Sequence, residues 1–253
     1  MKRIYSKKQK RKKRIIRIIS LILICTLANS AYHLITWKEN TTRNKIIKEN
    51  TNKVVKIKKD SSETKEKIEV NWSDIKKTNK DSVAYLKINN TNINYIVVKG
   101  KDNEYYLNHN INNQKNIAGW IFADYKNKLD GSDKNIVIYG HNIVDKSMFG
   151  SIPDMFKKEW YNNETNLNIS FVTEKGDFAY HIFSMYTVKA EEYYIQTDFK
   201  DNSSYQEFLK TIKKRSFYHF KEEIVSEDFI LTLSTCTPDG NARMVIHAKL
   251  INQ

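Results

Sequence analysis

Cysteine is almost missing from this chain. Its 253 residues contain two, Cys25 inside an apolar run near the N-terminus and Cys236 near the C-terminus. Two thiols so placed do not pair, which excludes a disulfide-built scaffold and leaves Cys236 as a single thiol in whatever domain carries it. Proline (2) and glycine (7) are equally scarce, so a disordered, low-complexity chain is excluded for the bulk of the sequence. There is no Gly-rich phosphate loop, no Cys/His cluster with zinc spacing and no internal repeat. The net charge of +14 suggests nucleic acid until it is divided along the chain: residues 81–253 carry twenty basic and twenty-two acidic residues, net −2. The part able to fold therefore lacks a basic footprint, and a nucleic-acid role is disfavoured.

The positive charge lies at the start. Residues 1–17 hold ten Lys/Arg and no acid, and residues 38–80 are net +6. Between them Ile18 to Ile35 runs eighteen residues without a formal charge, close to the minimum for a membrane-spanning helix. Arg17 can snorkel from one end and Trp37 can sit at the other interface. Two readings compete. A cleaved signal peptide would use the small residues of Leu27–Ala31; an uncleaved anchor would use the whole run and a polar stalk beyond it. Length and flanks favour the anchor. The expected organisation is a basic cytoplasmic tail (1–17), a transmembrane anchor (18–37), a polar stalk acting as a solvated spacer (38–70) and a folded domain (71–253). The basic end stays cytoplasmic and the domain faces outside.

Past the stalk, Ser73-Asp74-Ile75-Lys76 offers a helix start. From Val83 the pattern becomes alternating and β-branched. Strands are expected over 83–88, 92–98, 118–123, 135–139, 167–172, 178–188, 229–234 and 242–250. One amphipathic helix interrupts them: Tyr205, Phe208, Leu209 and Ile212 fall at i, i+3, i+4 and i+7. Many short strands with few helices point to a closed or nearly closed β-barrel.

The stretch Phe229 to Leu250 reads strand, turn, strand, with the turn at Pro238-Asp239-Gly240-Asn241. A hairpin there brings Cys236 and Arg243 to one end of the sheet. A cation favours the thiolate, and a guanidinium can hydrogen-bond the oxyanion formed when a thiolate attacks a carbonyl. Taken alone, Cys236 remains open between a buried small hydrophobe and a nucleophile. Of six histidines, His33 lies in the apolar run, His109 and His219 in polar loops, and His181 and His247 inside strands. His141 follows the apolar strand Ile136–Tyr139 and then Gly140, whose freedom at a strand end would set the imidazole on the rim of the sheet.

These residues carry a resemblance. Leu231-Thr232-Leu233-Ser234-Thr235-Cys236 followed by Arg243 resembles the TLxTC…R signature of sortases, and Tyr139-Gly140-His141-Asn142 resembles the stretch around their histidine. The segments Asn79–Ile88, Thr91–Tyr95, Lys101–Leu107 and Ile121–Tyr125, with the helix around 202–214, look like class B, and the resemblance covers about residues 72–251. Tyr95-Ile96-Val97-Val98 departs from the Tyr-Pro-Val-Val of many class B members, and the Cys-to-Arg loop is fairly short; both bear on substrate fit. The resemblance implies a mainly β fold: a sortase-type closed barrel of about eight strands with an N-terminal helix and an inserted amphipathic helix, after a single membrane anchor. It implies a cysteine transpeptidase with Cys236, His141 and Arg243 as catalytic residues, Ser234, Thr235 and Asn92 as substrate contacts, no cofactor and no metal. The implied partners are the membrane, exported proteins with a C-terminal sorting signal cleaved after Thr, and an amine of a lipid-linked peptidoglycan precursor. A peptidase using water and a catalytically silent tethered binder are the rival readings.

Overall fold

The computed structural model describes residues 2–59 and 66–252. Residues 60–65 of the expected stalk, Met1 of the basic tail and Gln253 lie outside the described residues. The chain divides into two compact units, residues 1–43 and 44–253.

The first unit is helical throughout its described residues and belongs to α1 (Lys2–Asn52). Ile18, Ile19, Leu21, Ile22, Leu23 and Ile24 are all at least half exposed along it. α1 is also the one helix, among the described residues, long and apolar enough to cross a membrane.

The second unit begins inside α1, which corrects the expectation of a solvated stalk from 38 to 70. Asn44, Ile47 and Thr51 are buried and Lys48 is half-buried. They fall at i, i+3, i+4 and i+7, so they form one helical face. Only one of the four is apolar, so hydropathy does not mark the face. After α1 come β1 (Val55–Lys59) and β2 (Glu66–Val70), an antiparallel pair of their own. Next is α2 (Trp72–Thr78), capped by the Asn71 side chain, which accepts from the Asp74 N–H.

The remaining strands are β3 (Ser82–Ile88), β4 (Asn94–Val98), β5 (Phe122–Ala123), β6 (Asn135–Tyr139), β7 (Asn168–Thr173), β8 (Gly176–Val188), β9 (Ile230–Cys236) and β10 (Arg243–Asn252). They close a barrel in the order β10-β8-β7-β3-β4-β5-β6-β9. Most neighbours are antiparallel; β4–β5 and β6–β9 are parallel. The strand expected over 118–123 shrinks to two residues because Gly119 adopts a left-handed φ of 55°. Two short helices, α3 (Ile152–Met155) and α4 (Lys158–Tyr161), follow β6, and α5 (Asn202–Lys214) lies between β8 and β9.

Strand alternation separates two cores. Leu231 and Leu233 of β9, with Ile246 and Ala248 of β10, belong to the main core. Ile230 and Val245 belong instead to a second core under α5, with Tyr205, Phe208, Leu209 and Ile212. The long β8 serves both. A bulge opposite His247/Ala248 leaves Phe183 out of the pairing, so the inward phase passes from Ile182 to Met185. α5 starts with a capping box between Asp201 and Ser204.

Candidate active site

One end of the barrel gathers the three residues singled out from the sequence. Cys236 is the last residue of β9 and Arg243 the first of β10, and they are direct cross-strand partners. Antiparallel neighbours of this kind hold their Cβ atoms about 4.5–5.5 Å apart on one face. The six-residue turn between them is tied internally: the Thr237 N–H donates to the Ala242 carbonyl (2.9 Å), and Thr237 Oγ1 donates to Asp239 Oδ1 (2.5 Å). Gly240 takes the left-handed φ of 76° that the turn requires. Arg243 is also paired with Val188 of β8, and its Nη1 donates to the Ala242 carbonyl at 3.2 Å.

His141 arrives from the other side. β6 runs parallel to β9, and the last registered pair is Tyr139 with Ser234. His141 and Cys236 each lie two residues past that pair, so the continued register sets them level. Three bonds hold the strands together beyond it. The Gly140 N–H donates to the Ser234 carbonyl (3.4 Å), the Thr235 hydroxyl to the Gly140 carbonyl (2.7 Å), and Asn142 Nδ2 to the Cys236 carbonyl (3.0 Å). Gly140 is not left-handed. A Cβ there would strike the side chain of Ile121 and the ring of Phe149, so glycine serves close packing and not the sharp turn expected from the sequence.

The imidazole is half-buried and its Nε2 lies 2.9 Å from the Leu107 carbonyl. A carbonyl only accepts, so Nε2 carries the proton and Nδ1 is the nitrogen left to exchange one. Leu107 closes a short 3-10 turn, Tyr105–Leu107. The partner that orients the ring is thus a backbone oxygen and not a carboxylate.

Ser234 and Thr235 are buried, and both hydroxyls are used within the protein. Thr235 supports the histidine loop as above; Ser234 Oγ shares a hydrogen bond of 3.1 Å with the Tyr194 hydroxyl. Asn92 lies elsewhere, exposed in the β3–β4 turn. Its N–H donates to Ser151 Oγ (3.4 Å) and its carbonyl accepts from Lys48 Nζ (2.6 Å). The structure therefore brings Cys236, His141, Arg243, Ser234 and Thr235 together and leaves Asn92 out.

Tyr194, the Asn142 amide and the Leu107 carbonyl were not found from the sequence. Tyr194 is buried; burial raises its phenol above the ordinary range, opposed by the Ser234 hydrogen bond and by the charge of Arg243. Tyr139, whose hydroxyl donates to Asp124 Oδ2 at 2.8 Å, is also pushed up, first by burial and then by that carboxylate. The other histidines of the domain lie apart. His109 stacks on Tyr105, with ring centroids 4.0 Å apart, and His219 is exposed. His181 lies between Glu164 and Glu222. His247 is fully buried, and burial pulls it down to about 3. A cavity of about 220 Å³ lined by Asp130, Asp133, Phe171 and Tyr180 among others lies around the start of β6, at the opposite end of the strand from His141.

Comparison with known proteins gives the family. Residues 86–251 match the family model of the sortase domain. Sortase B of Listeria monocytogenes is 37% identical over 183 residues, 71% of this chain and 74% of that protein. Sortase B of Staphylococcus aureus is 30% identical over 245 residues, 95% of this chain and 98% of that protein. Its structure in complex with a substrate is similar with a TM-score of 0.67 at 33% identity, covering 72% of this chain and 84% of that one. Sortase B from B. anthracis, solved in complex with AAEK1, is similar with a TM-score of 0.74 at 29% identity, covering 85% and 99%. With a sortase-domain model matched over residues 86–251 and sortase B relatives at 37% and 30% identity, this chain belongs to the sortases, of the class B kind, and is a cysteine transpeptidase.

Proposed function

We propose that Cys236, His141 and Arg243 carry out a two-step transfer of an exported protein onto a cell-wall amine. The observation behind this is the register: Cys236 is paired with Arg243 on one side and level with His141 on the other. In the first step the Cys236 thiolate attacks the carbonyl carbon of the threonine in a C-terminal sorting signal. The guanidinium of Arg243 stabilises the oxyanion. As the C–N bond breaks, His141 as imidazolium gives a proton from Nδ1 to the departing amine, and a thioacyl-enzyme remains. In the second step an amine of a lipid-linked peptidoglycan precursor attacks the thioester. His141 takes up the amine's proton, the C–S bond breaks and the thiolate is restored. Ser234 and Thr235 lie directly before the nucleophile and bound the groove through their backbone. Asn92, exposed in its turn, suits a more distant contact along the groove wall.

We also assign residues 18–37 as the anchor, with the basic N-terminus cytoplasmic and the catalytic unit outside. Exposed Leu and Ile side chains along this part of α1 and the ten basic residues before it support this. Substrate and acceptor then meet the enzyme on one surface, where tethering raises their effective concentration.

The test uses the full chain in detergent with a panel of sorting-signal peptides, followed by mass spectrometry with and without amine acceptors. Cleavage after threonine with an amine-linked product, lost in Cys236→Ala, is the expected result. Cleavage that yields only the hydrolysed acid, whatever amine is supplied, would favour a peptidase instead.

A further inference from the structure

The face of α1 that the sequence disguised touches both loops of the candidate active site. Asn44 and Asn116 are 2% and 3% exposed. They form a reciprocal amide pair: Asn44 Nδ2 donates to Asn116 Oδ1 (3.2 Å), and Asn116 Nδ2 to Asn44 Oδ1 (2.9 Å). Asn116 in turn donates its N–H to the Asn108 carbonyl at 2.8 Å, one residue from the Leu107 carbonyl that holds the His141 ring. Gly119 keeps this loop closed: a Cβ there would lie 2.7 Å from the Leu107 oxygen.

Four residues along the helix, Lys48 places its ammonium 4.3 Å from the centroid of the Tyr95 ring and donates to the Asn92 carbonyl. Tyr95 is 1% exposed, and its hydroxyl accepts the Met148 N–H at 2.9 Å. Met148 is bridged to Asn142, whose side chain holds the Cys236 carbonyl, and the next residue, Phe149, donates its N–H to the His141 carbonyl (2.9 Å). Burial pulls Lys48 down to about 8, the mark of a lysine set into the domain and not one lying on it.

We propose that residues 44–52 of α1 are a positioning clamp of the catalytic centre, with Asn44 holding the loop that orients the His141 ring and Lys48, through Tyr95, holding the loop that fixes Cys236. This rests on the assignment of His141 and Cys236 above. Neither clamp residue touches the reacting atoms; each acts through a loop that holds one of the two residues, the Leu107 carbonyl on the His141 ring and the Asn142 side chain on the Cys236 carbonyl. A small displacement suffices, because misplacing a proton-transfer group by about 1 Å costs on the order of a hundredfold in rate. The part of α1 that belongs to the second unit is then part of the active site's support.

The experiment uses the full chain in detergent with Cys25→Ser, which leaves Cys236 as the single thiol. Asn44→Ala, Lys48→Met and Lys48→Arg are compared by peptide kinetics, melting temperature and the pH dependence of Cys236 alkylation by iodoacetamide. We expect Asn44→Ala and Lys48→Met each to lower kcat about tenfold with KM within about twofold, as for an interaction made in the transition state. Both should displace the alkylation profile along the pH axis, and Lys48→Arg, which keeps a cation over Tyr95, should restore much of the wild-type behaviour. An unmoved alkylation profile overturns the clamp. So does a loss of kcat that follows the melting temperature alone with no recovery in Lys48→Arg. If the parent chain processes no peptide, the functional assignment falls, while alkylation, which needs no substrate, still decides the clamp.

Discussion

Arg243 and Cys236 meet because one turn joins their strands, and in the proposed reaction the pair depends on the fork of the guanidinium. A lysine would keep the charge and lose the fixed set of donors. Arg243→Lys should therefore lower kcat by about 100- to 1,000-fold, the usual effect of removing one oxyanion donor, while KM moves far less. Steady-state peptide cleavage checks this, and a variant within a few-fold of the parent would take Arg243 out of the transition state. These residues were legible in the sequence because they are side chains in a distinctive order. Their supports were not. The Leu107 carbonyl that orients His141 is backbone, which no residue type announces, and Asn142 is one asparagine in an Asn-rich chain. Gly140 has an ordinary backbone, and the lack of a side chain is what lets Ile121 and Phe149 approach, a packing role that the sequence around it does not display.

Between elements, the long strands and α5 follow from their patterns, β-branched apolar runs in the strands and a four-point apolar stripe in α5. β5 does not, because Gly119 ends the extended reading and only Phe122 and Ala123 remain. The docked face of α1 escaped because it is recognised by amides and an ammonium instead of by apolar bulk. A further inter-strand device is polar as well. His247 of β10 has Nε2 2.8 Å from the Tyr186 hydroxyl of β8 and Nδ1 2.8 Å from Thr232 Oγ1 of β9. Thr232 donates to Asn135 Oδ1 of β6 (2.6 Å), and Asn135 Nδ2 donates to the Gln196 carbonyl (2.8 Å), beside Tyr194. Thr232 spends its one proton on Asn135, so His247 Nδ1–H donates to Thr232 and Nε2 accepts from Tyr186. The ring is neutral and stays so down to about pH 3. In the unfolded chain it takes a proton near pH 6.5, so between these limits the unfolded state binds more protons and stability falls as pH falls. Above that window the contribution is fully present. Relative to His247→Gln, the parent should lose roughly 1.4 kcal/mol per pH unit between pH 6 and 4. Denaturation midpoints at the two pH values measure this, and parallel losses in both proteins would assign the acid sensitivity elsewhere.

For the whole molecule, the two cysteines report on opposite sides of the question of placement. If residues 18–37 span the bilayer, Cys25 is sealed in lipid and Cys236 faces outside. A membrane-impermeant maleimide added to intact cells should modify Cys236 alone; modification of Cys236 only after permeabilisation would reverse the topology. Charge and hydropathy set an N-terminal segment apart from a folded part, but they do not mark where the folded unit begins, which is Asn44 and not residue 71. The barrel's strand order has a further consequence for how the enzyme comes into being. β9 and β10 are the last strands in the chain, and they fill the gap between β6 and β8. His141 and Cys236 are separated by ninety-four intervening residues, so their meeting is a long-range contact of the kind that forms late in folding. Cys236 and Arg243 flank the turn of that last hairpin. Until it is inserted neither is level with His141, so the proposed centre is completed only when the barrel itself closes.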